Sequence, residues 1–381
     1  MFASPNLARF WQNACNPCNF GLLMAIRLAL AVLLVQLSAI AQTQPATRGA
    51  KAFVLEASGD AFVPWGFNYD RDARFRLIED YWEDEWATVE SDFREMKALG
   101  ANVVRVHLQF GAFLEAPGKA NEKALAQLVK LTKLAEENSL YLDVTGLGCY
   151  RKADVPAWYD AMSEQDRWNQ QQAFWEAVAE TCSKSPAIFA YDLMNEPVVP
   201  QKKVDGWLDP HELGGLSYVQ YITKDVAGRK REEVARAWVK QMVGAIRKHD
   251  AGRLITLGML PTVDAGFMPR DMAKELSYLS VHIYPEKGKV GDSINVLRQF
   301  AVGKPVVIEE IFPLRADTNE VGEFIKESKP YANGWMGFYW GKTPDELRQS
   351  NEMSDALMLG WLELFQKLRS EMLATTRPAG G

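Results

Sequence analysis

Ile188-Phe-Ala-Tyr-Asp-Leu-Met-Asn195-Glu196-Pro197 is an apolar run ending in a polar triplet, and Lys304-Pro-Val-Val-Ile-Glu309-Glu310-Ile-Phe312 repeats that form. Near-continuous apolar runs of this length read as strands of a parallel sheet that is buried on both faces. Working outward, short β-branched runs recur at 62–68, 102–108, 140–145, 188–194, 254–258, 278–283, 305–308 and 335–339. Each is followed by a stretch with apolar residues at helical spacing, the signature of repeated βα units. Leu125, Leu128 and Leu131 line one helix face before Asn138, and Trp238, Met242, Ala245 and Ile246 line another before Gly252. Gly100, Asn138, Gly252, Gly303 and Gly334 stand just before strands, where a helix end favours a residue that tolerates left-handed backbone. Eight such units predict an α/β fold, a (β/α)8 TIM barrel in a single domain. The rival, an open doubly wound sheet, would need a Gly-rich turn after its first strand, and none is present.

The 381-residue chain is 48% hydrophobic and 24% charged, an ordinary globular composition that excludes disorder. A net charge of −6 without a long basic run gives no reason to expect a nucleic-acid or anionic-membrane partner, and points to a neutral ligand. Twelve Trp residues would suit the C–H faces of sugars, although Trp is usually packing. Residues 1–41 read as an N-terminal extension and signal peptide: Arg27 is the positive region, 28–35 the apolar run and Ala39-x-Ala41 the cleavage site. Its apolar run is shorter than the roughly 20 residues that span a bilayer, so secretion or periplasmic export is expected, with cleavage after Ala41 and no membrane contact afterwards. A complete signal starts at Met24, a possible true start, so Cys15 and Cys18 carry no weight in the fold. A short linker (42–50), a catalytic barrel (51–370) and a flexible tail (371–381) are expected to follow, and the barrel is expected to be a monomer.

Cys149 and Cys182 remain in the mature part, and their spacing leaves open whether they pair. His107, His211, His249 and His282 are scattered singly, so no metal is expected, and the activity implied below calls for no cofactor. Two connections are long, 70–88 and 198–229, and both fall on the strand-to-helix face where barrels build their sites. Their aromatics (Tyr81, Trp82, Trp86, Trp207, Tyr218, Tyr221) either form ligand subsites or pack among themselves.

The Asn195-Glu196-Pro197 ending of strand four and the apolar run ending in Glu310 on strand seven resemble the cellulase and β-mannanase family, glycoside hydrolase family 5, of the clan of retaining barrel glycosidases. The resemblance implies Glu196 as general acid/base and Glu310 as nucleophile, since retention needs two carboxyl groups about 5 Å apart on one sugar carbon. Strands four and seven face one another across an eight-stranded barrel. Alternation places Val306, Ile308 and Glu310 on one strand face and Glu309 on the other, so Glu310 is preferred and Glu309 is the alternative.

Other strand ends match in order. Arg105 in Val103-Val-Arg-Val-His107 looks like the family's arginine beside the nucleophile, where a fixed cation would favour the ionised carboxylate. Asn195 is similar to the asparagine that bonds the sugar 2-hydroxyl. His282 and Tyr284, in Ser280-Val-His-Ile-Tyr-Pro285, resemble a His-x-Tyr pair that would serve Glu196 and Glu310 respectively. Trp340 looks like the floor of the subsite at the scissile bond, and Asn68 with Trp65 would line the same mouth, core packing being an equal contender for Trp65. Strand three reads Tyr141-Leu-Asp-Val-Thr145 where many members carry a histidine; either His107 compensates or the subsite differs. Phe312-Pro313 replaces the commoner glycine after strand seven. The implied activity is that of a retaining hydrolase of β-linked gluco- or manno-configured saccharides, endo-β-mannanase-like or endo-β-glucanase-like. A carbohydrate-binding barrel without turnover, or a transglycosylase using the same residues, are the alternatives. Open and closed clefts are not distinguished by sequence.

Overall fold

The computed structural model describes residues 42–47 and 52–373, so the expected leader (1–41), part of the linker and the last residues of the expected tail lie outside the described residues. Eight parallel strands close into a barrel: β1 (Trp65–Tyr69), β2 (Val103–Gln109), β3 (Tyr141–Gly148), β4 (Ile188–Asn195), β5 (Leu254–Met259), β6 (Leu279–His282), β7 (Val306–Glu310) and β8 (Gly334–Phe338). They pair in sequence order, and β8 pairs with β1 to shut the ring. The principal helices outside are α1 (Trp86–Ala98), α2 (Glu122–Glu137), α3 (Glu164–Cys182), α4 (Arg231–Arg247), α5 (Pro269–Glu275), α6 (Val290–Arg298), α7 (Thr318–Ser328) and α8 (Met353–Leu373).

Local chemistry sets these helices. Asn121 caps α2 by accepting from the Lys123 and Ala124 amides, and Asp317 caps α7 in the same way through Asn319 and Glu320. The faces read from periodicity are the buried ones: Leu125, Leu128 and Leu131 on α2, and Trp238, Met242, Ala245 and Ile246 on α4. Of the residues expected to end helices in left-handed backbone, Gly100 (φ 98°) and Gly303 (φ 93°) do so. Asn138 keeps right-handed backbone and hands the turn to Ser139 (φ 50°). Gly252 and Gly334 are not left-handed. Gly334 is needed for space instead, because a Cβ there would lie 2.8 Å from Pro64 Cβ.

The expected first strand, 62–68, divides in two. Ala61–Phe62 belongs to a small antiparallel sheet with Phe53–Leu55 and Pro45–Thr47, and Trp65 begins the barrel. Pro64 sits at the break, without an N–H for a continuous ladder. Part of the stretch expected as a linker is therefore a paired strand. This sheet plugs the base of the barrel: Phe53 and Phe62 pack with Val103, Tyr141, Phe189, Tyr278, Val307 and Met336. Above the plug, the interior turns polar, with Arg105, Asp143, Asp192, Thr256, Ser280 and Glu309 all fully buried.

Cys149 and Cys182 are both buried free thiols. No helix among the described residues is long and apolar enough to cross a membrane. The closed ring leaves little slack between strands. A Cβ at Gly66 would fall 1.9 Å from the Val103 carbonyl oxygen of the paired strand β2. Backbone cannot yield as a side chain does, so Gly66→Ala is expected to destabilise the protein beyond the roughly 1–3 kcal/mol of ordinary overpacking. Chemical denaturation measures this, and a loss below about 1 kcal/mol would contradict the strand spacing.

Candidate active site

Arg105 is the centre of the barrel's upper half. It projects inward from β2, has no exposed side-chain surface and spends its guanidinium on Asn68, Glu310, Asp192 and Asn195, with His107 Nε2 at 3.3 Å. Nη1 donates to Asn68 Oδ1 (2.8 Å) and Glu310 Oε1 (2.7 Å); Nη2 donates to Asp192 Oδ2 (2.7 Å) and Asn195 Oδ1 (3.0 Å). Burial disfavours the cation, but Glu309, Asp192 and Glu310 outweigh that and hold its pKa well above the usual value. Gly258 on β5 gives this cluster room, since a Cβ there would approach Arg105 Nη2 and His282 Nε2 at 3.0 Å each.

Glu196 and Glu310 converge from opposite walls. Glu310 Oε2 accepts from Tyr284 OH at 2.5 Å while its Oε1 is held by Arg105. Glu196 Oε1 lies 3.0 Å from His282 Nδ1, which is also 3.5 Å from Glu310 Oε2. One carboxylate oxygen of Glu196, one of Glu310 and a ring nitrogen of His282 lie within 4.8 Å of one another. Both side chains keep some access to the mouth, at 13% and 9% exposure, whereas His282 has none.

Neither carboxylate is delivered by a regular strand. On β7 the register against β6 runs Val281 to Ile308 and then His282 to Glu310, so Glu309 and Glu310 both face His282. The extra residue is a bulge that breaks alternation. This corrects the expected facing: Val306 and Ile308 pack outward toward the helices, Val307 points to the plug, and Glu309 enters the barrel beneath Glu310. On β4 the register against β5 likewise slips between Asp192 and Asn195, turning both toward Arg105. Glu196 follows in left-handed backbone (φ 45°), which costs a non-glycine residue about 1–3 kcal/mol.

Glu309 Oε2 is 3.7 Å from both Arg105 Nε and His282 Nε2. Burial would raise its pKa, but those two cations outweigh burial and lower it. Asp143 on β3 is pushed the other way, well above the usual carboxylate range, by burial and by the Glu309 and Asp192 charges. A proton on Asp143 supplies the facing Glu309 oxygen with a donor that two bare carboxylates would both lack. Burial also disfavours the His282 cation, but the Glu310 charge and the facing Glu196 and Glu309 carboxylates overcome this and push its pKa up to about 10. His107 goes the opposite way: burial and the Arg105 charge hold it well below its usual value, so it is neutral. Its Nδ1 pairs with Tyr150 OH at 2.6 Å.

Glu196, His282 and Glu310 are also the one group among the described residues whose atoms are close enough to share a metal ion. A metal would have to displace the proton from His282 and compete with Arg105 and Tyr284 for the oxygens of Glu310. The set suits an imidazolium held between two carboxylates better than it suits a metal.

Of the residues singled out in the sequence, the structure brings together Glu196, Glu310, Glu309, Arg105, Asn195, His282, Tyr284, Asn68 and His107. Asn68 is sealed below the mouth, donating to the Glu309 and Gly337 carbonyls. Trp340 borders the mouth through Nε1, which donates to Asp70 Oδ1 at 3.2 Å. Two expectations are corrected. Trp65 points out of the barrel and stacks on Phe365 of α8 at 4.1 Å, because alternation puts it opposite Gly66 and away from Asn68. Trp207 is buried within its loop, donating to the Asp160 carbonyl with Arg167 over its ring at 4.2 Å. Tyr81 and Trp82 are likewise buried packing residues. Sequence reasoning missed Asp143 and Asp192, although an acid within an apolar strand carries the same signal as Arg105. It also missed Asp70, which accepts from Tyr218 OH at 3.0 Å.

Two measurements test this electrostatic arrangement. Arg105→Met leaves Asp192, Glu309 and Glu310 without their cation and should cost about 3–5 kcal/mol in chemical denaturation; a neutral result would remove Arg105 from its central place. His282 has a folded-state pKa of about 10 against an ordinary 6.5, so its stabilisation is complete below pH 6.5 and lost as pH rises through 10. The melting temperature of the native protein should therefore fall relative to that of His282→Asn between those pH values, and parallel curves would contradict it.

Comparison with known proteins places this site in a family. No curated protein sequence matches the chain. Among solved structures, the chain is similar to the exo-β-1,4-mannosidase Op5Man5 from Opitutaceae bacterium strain TAV5, with 19% identity and a TM-score of 0.65 over 86% of this chain. It spans 63% of that enzyme's length. It is also similar to a β-mannanase from the blue mussel Mytilus edulis (16% identity, TM-score 0.59, 90% of this chain and 98% of that one). A third likeness is to the β-glucanase SdGluc5_26A from Saccharophagus degradans (15% identity, TM-score 0.60, 88% of this chain and 94% of that one). At such identities the likeness shows the fold. The family model "Cellulase (glycosyl hydrolase family 5)" matches residues 57–335, well over half of the chain, and the protein is a member of that glycoside hydrolase family.

Proposed function

We propose that the protein hydrolyses β-linked gluco- or manno-configured oligo- or polysaccharides with retention, through a covalent glycosyl-enzyme. The observation that carries the reading is the convergence of Glu196 and Glu310, whose oxygens come within 4.8 Å of each other across the barrel mouth. Retention uses a pair about 5–5.5 Å apart, whereas inversion needs roughly 6.5–9.5 Å to admit a water. The mannosidase, mannanase and glucanase named among the structural neighbours support the choice of sugars.

In this reading Glu310 attacks the anomeric carbon while Glu196 gives its proton to the departing oxygen. Arg105 and Tyr284 bond the two oxygens of Glu310 and hold the carboxylate in line for attack. Glu196 then takes a proton from the water that releases the sugar, restoring the starting state. His282 at 3.0 Å orients Glu196 through one oxygen, leaving the other to carry the transferred proton.

Replacing each carboxylate separates the roles. Glu310→Ala should lose hydrolysis by several orders of magnitude, and azide should restore turnover with an inverted glycosyl azide. Glu196→Ala should lose about 10²–10⁴-fold on substrates with poor leaving groups and much less on activated aryl glycosides. Undiminished hydrolysis by Glu310→Ala would sink the assignment.

A further inference from the structure

The two long connections on the mouth side meet each other. The β1–α1 connection carries Asp70, Arg71 and Phe75; the β4–α4 connection carries Gly214 and Tyr218. Phe75 lies directly on the backbone at Gly214, where a Cβ would come 2.2 Å from its ring. Leu77, Leu216 and Tyr150 form a buried apolar joint beside that contact. Closer to the catalytic pair, Tyr218 ties the β4 side to the β1 side. Its carbonyl accepts from Asn195 Nδ2 at 3.2 Å and its hydroxyl donates to Asp70 Oδ2 at 3.0 Å.

Trp340 completes the wall. The Arg71 guanidinium lies 3.9 Å from the centroid of Trp340 and 3.9 Å from that of Phe75, filling the gap between the two rings. Phe312 and Phe338 press on Trp340 with centroids at 5.2 and 5.9 Å. A sugar chain that continued past the sugar under attack would use an aromatic face of this kind as its next platform. Arg71 lies over the Trp340 ring and two further rings pack beside it, which leaves Trp340 partly buried. The rim beside β1 and β8 is thus lined by contacts that join a strand end to both loops.

Asp70 stands at the foot of this wall, 4% exposed, with one hydrogen bond into each carboxylate oxygen. Each oxygen keeps a second lone pair. Burial, together with the Glu310 charge, raises its pKa to about 6, so above that pH it is an anionic acceptor within electrostatic reach of Glu310.

We propose that this wall closes the glycone end of the pocket, so that the protein removes single sugars from the non-reducing end of its substrate. Asp70 accepts hydrogen bonds from the hydroxyls opposite the anomeric carbon, the positions through which a longer chain would continue. The inference rests on the hydrolase reading above and adds which end of the substrate enters and how much of it fits.

The test uses the full chain on β-1,4-linked manno- and gluco-hexasaccharides labelled at the reducing end, with products separated at low conversion. Monosaccharide with a labelled pentasaccharide as the first products, and unchanged viscosity of the corresponding polymers, are expected. Labelled products of two to four sugars at the earliest times would overturn the wall while leaving the hydrolase reading intact. Absence of hydrolysis on every β-linked glycoside would overturn both. Two variants sharpen the result. Arg71→Gly with Phe75→Gly opens the wall and should raise internal cleavage of polymer at least tenfold over the native protein, and no gain would count against closure. Asp70→Asn should raise KM for the hexasaccharide about tenfold or more, as loss of charged hydrogen bonds to hydroxyls does; an unchanged KM would remove Asp70 from the subsite.

Discussion

A guanidinium held out of water at the centre of a barrel constrains everything around it. Isolating such a charge costs several kcal/mol even after relaxation, and the cost is offset only when acceptors surround it in good geometry. Arg105 has those acceptors in Asn68, Asp192, Asn195 and Glu310, drawn from β1, β4 and β7. The apolar plug below and the missing side chain at Gly258 give the group a dry seat of the right size. Because Arg105 bonds Glu310 and also Asn195 beside Glu196, one residue sets the positions of both walls of the site.

That arrangement needs more acids facing inward than regular strands can supply. Strict alternation offers one inward residue in two, which would put Glu309 or Glu310 in the barrel but not both. The bulges on β4 and β7 add an inward residue at the C-terminal end of each strand. Each strand then presents a lower group for the Arg105 layer, Asp192 or Glu309, and an upper group for the mouth, Glu196 or Glu310. The lower acids are not spectators. With Asp143 carrying a proton, Glu309 remains an anion against Arg105 and His282, and the His282 cation in turn lies between the two mouth carboxylates.

The long connections divide by function along their length. Their outer aromatics, Tyr81, Trp82 and Trp207, are spent on holding the loops together. Their inner residues, Asp70, Arg71 and Tyr218, reach the edge of the mouth. In barrels of this fold such segments can set selectivity, because loops can change without disturbing the strands that carry the chemistry.

What the chain order alone determined was periodicity and residue type at strand ends. Eight apolar runs with helical intervals led to the barrel, and Arg105, Asn195, Glu196, His282, Tyr284 and Glu310 were legible because polar groups at the ends of buried strands have few structural reasons to be there. Only the tertiary structure decided facing. Alternation assigns Glu309 outward and the sequence leaves Trp65 and Trp207 between mouth and packing roles, and each outcome depended on something no local pattern encodes. A bulge is a mismatch between two strands, visible only when β6 is laid beside β7. The side that a Trp takes depends on where its strand begins, and that was fixed by Pro64 and the plug sheet. Whether the loops leave the mouth open was equally invisible, since Phe75 and Gly214 are separated by more than a hundred residues and meet only after the barrel has closed. Identity and spacing are local properties of a chain, whereas register, facing and enclosure are relations between segments that burial and hydrogen bonding settle together.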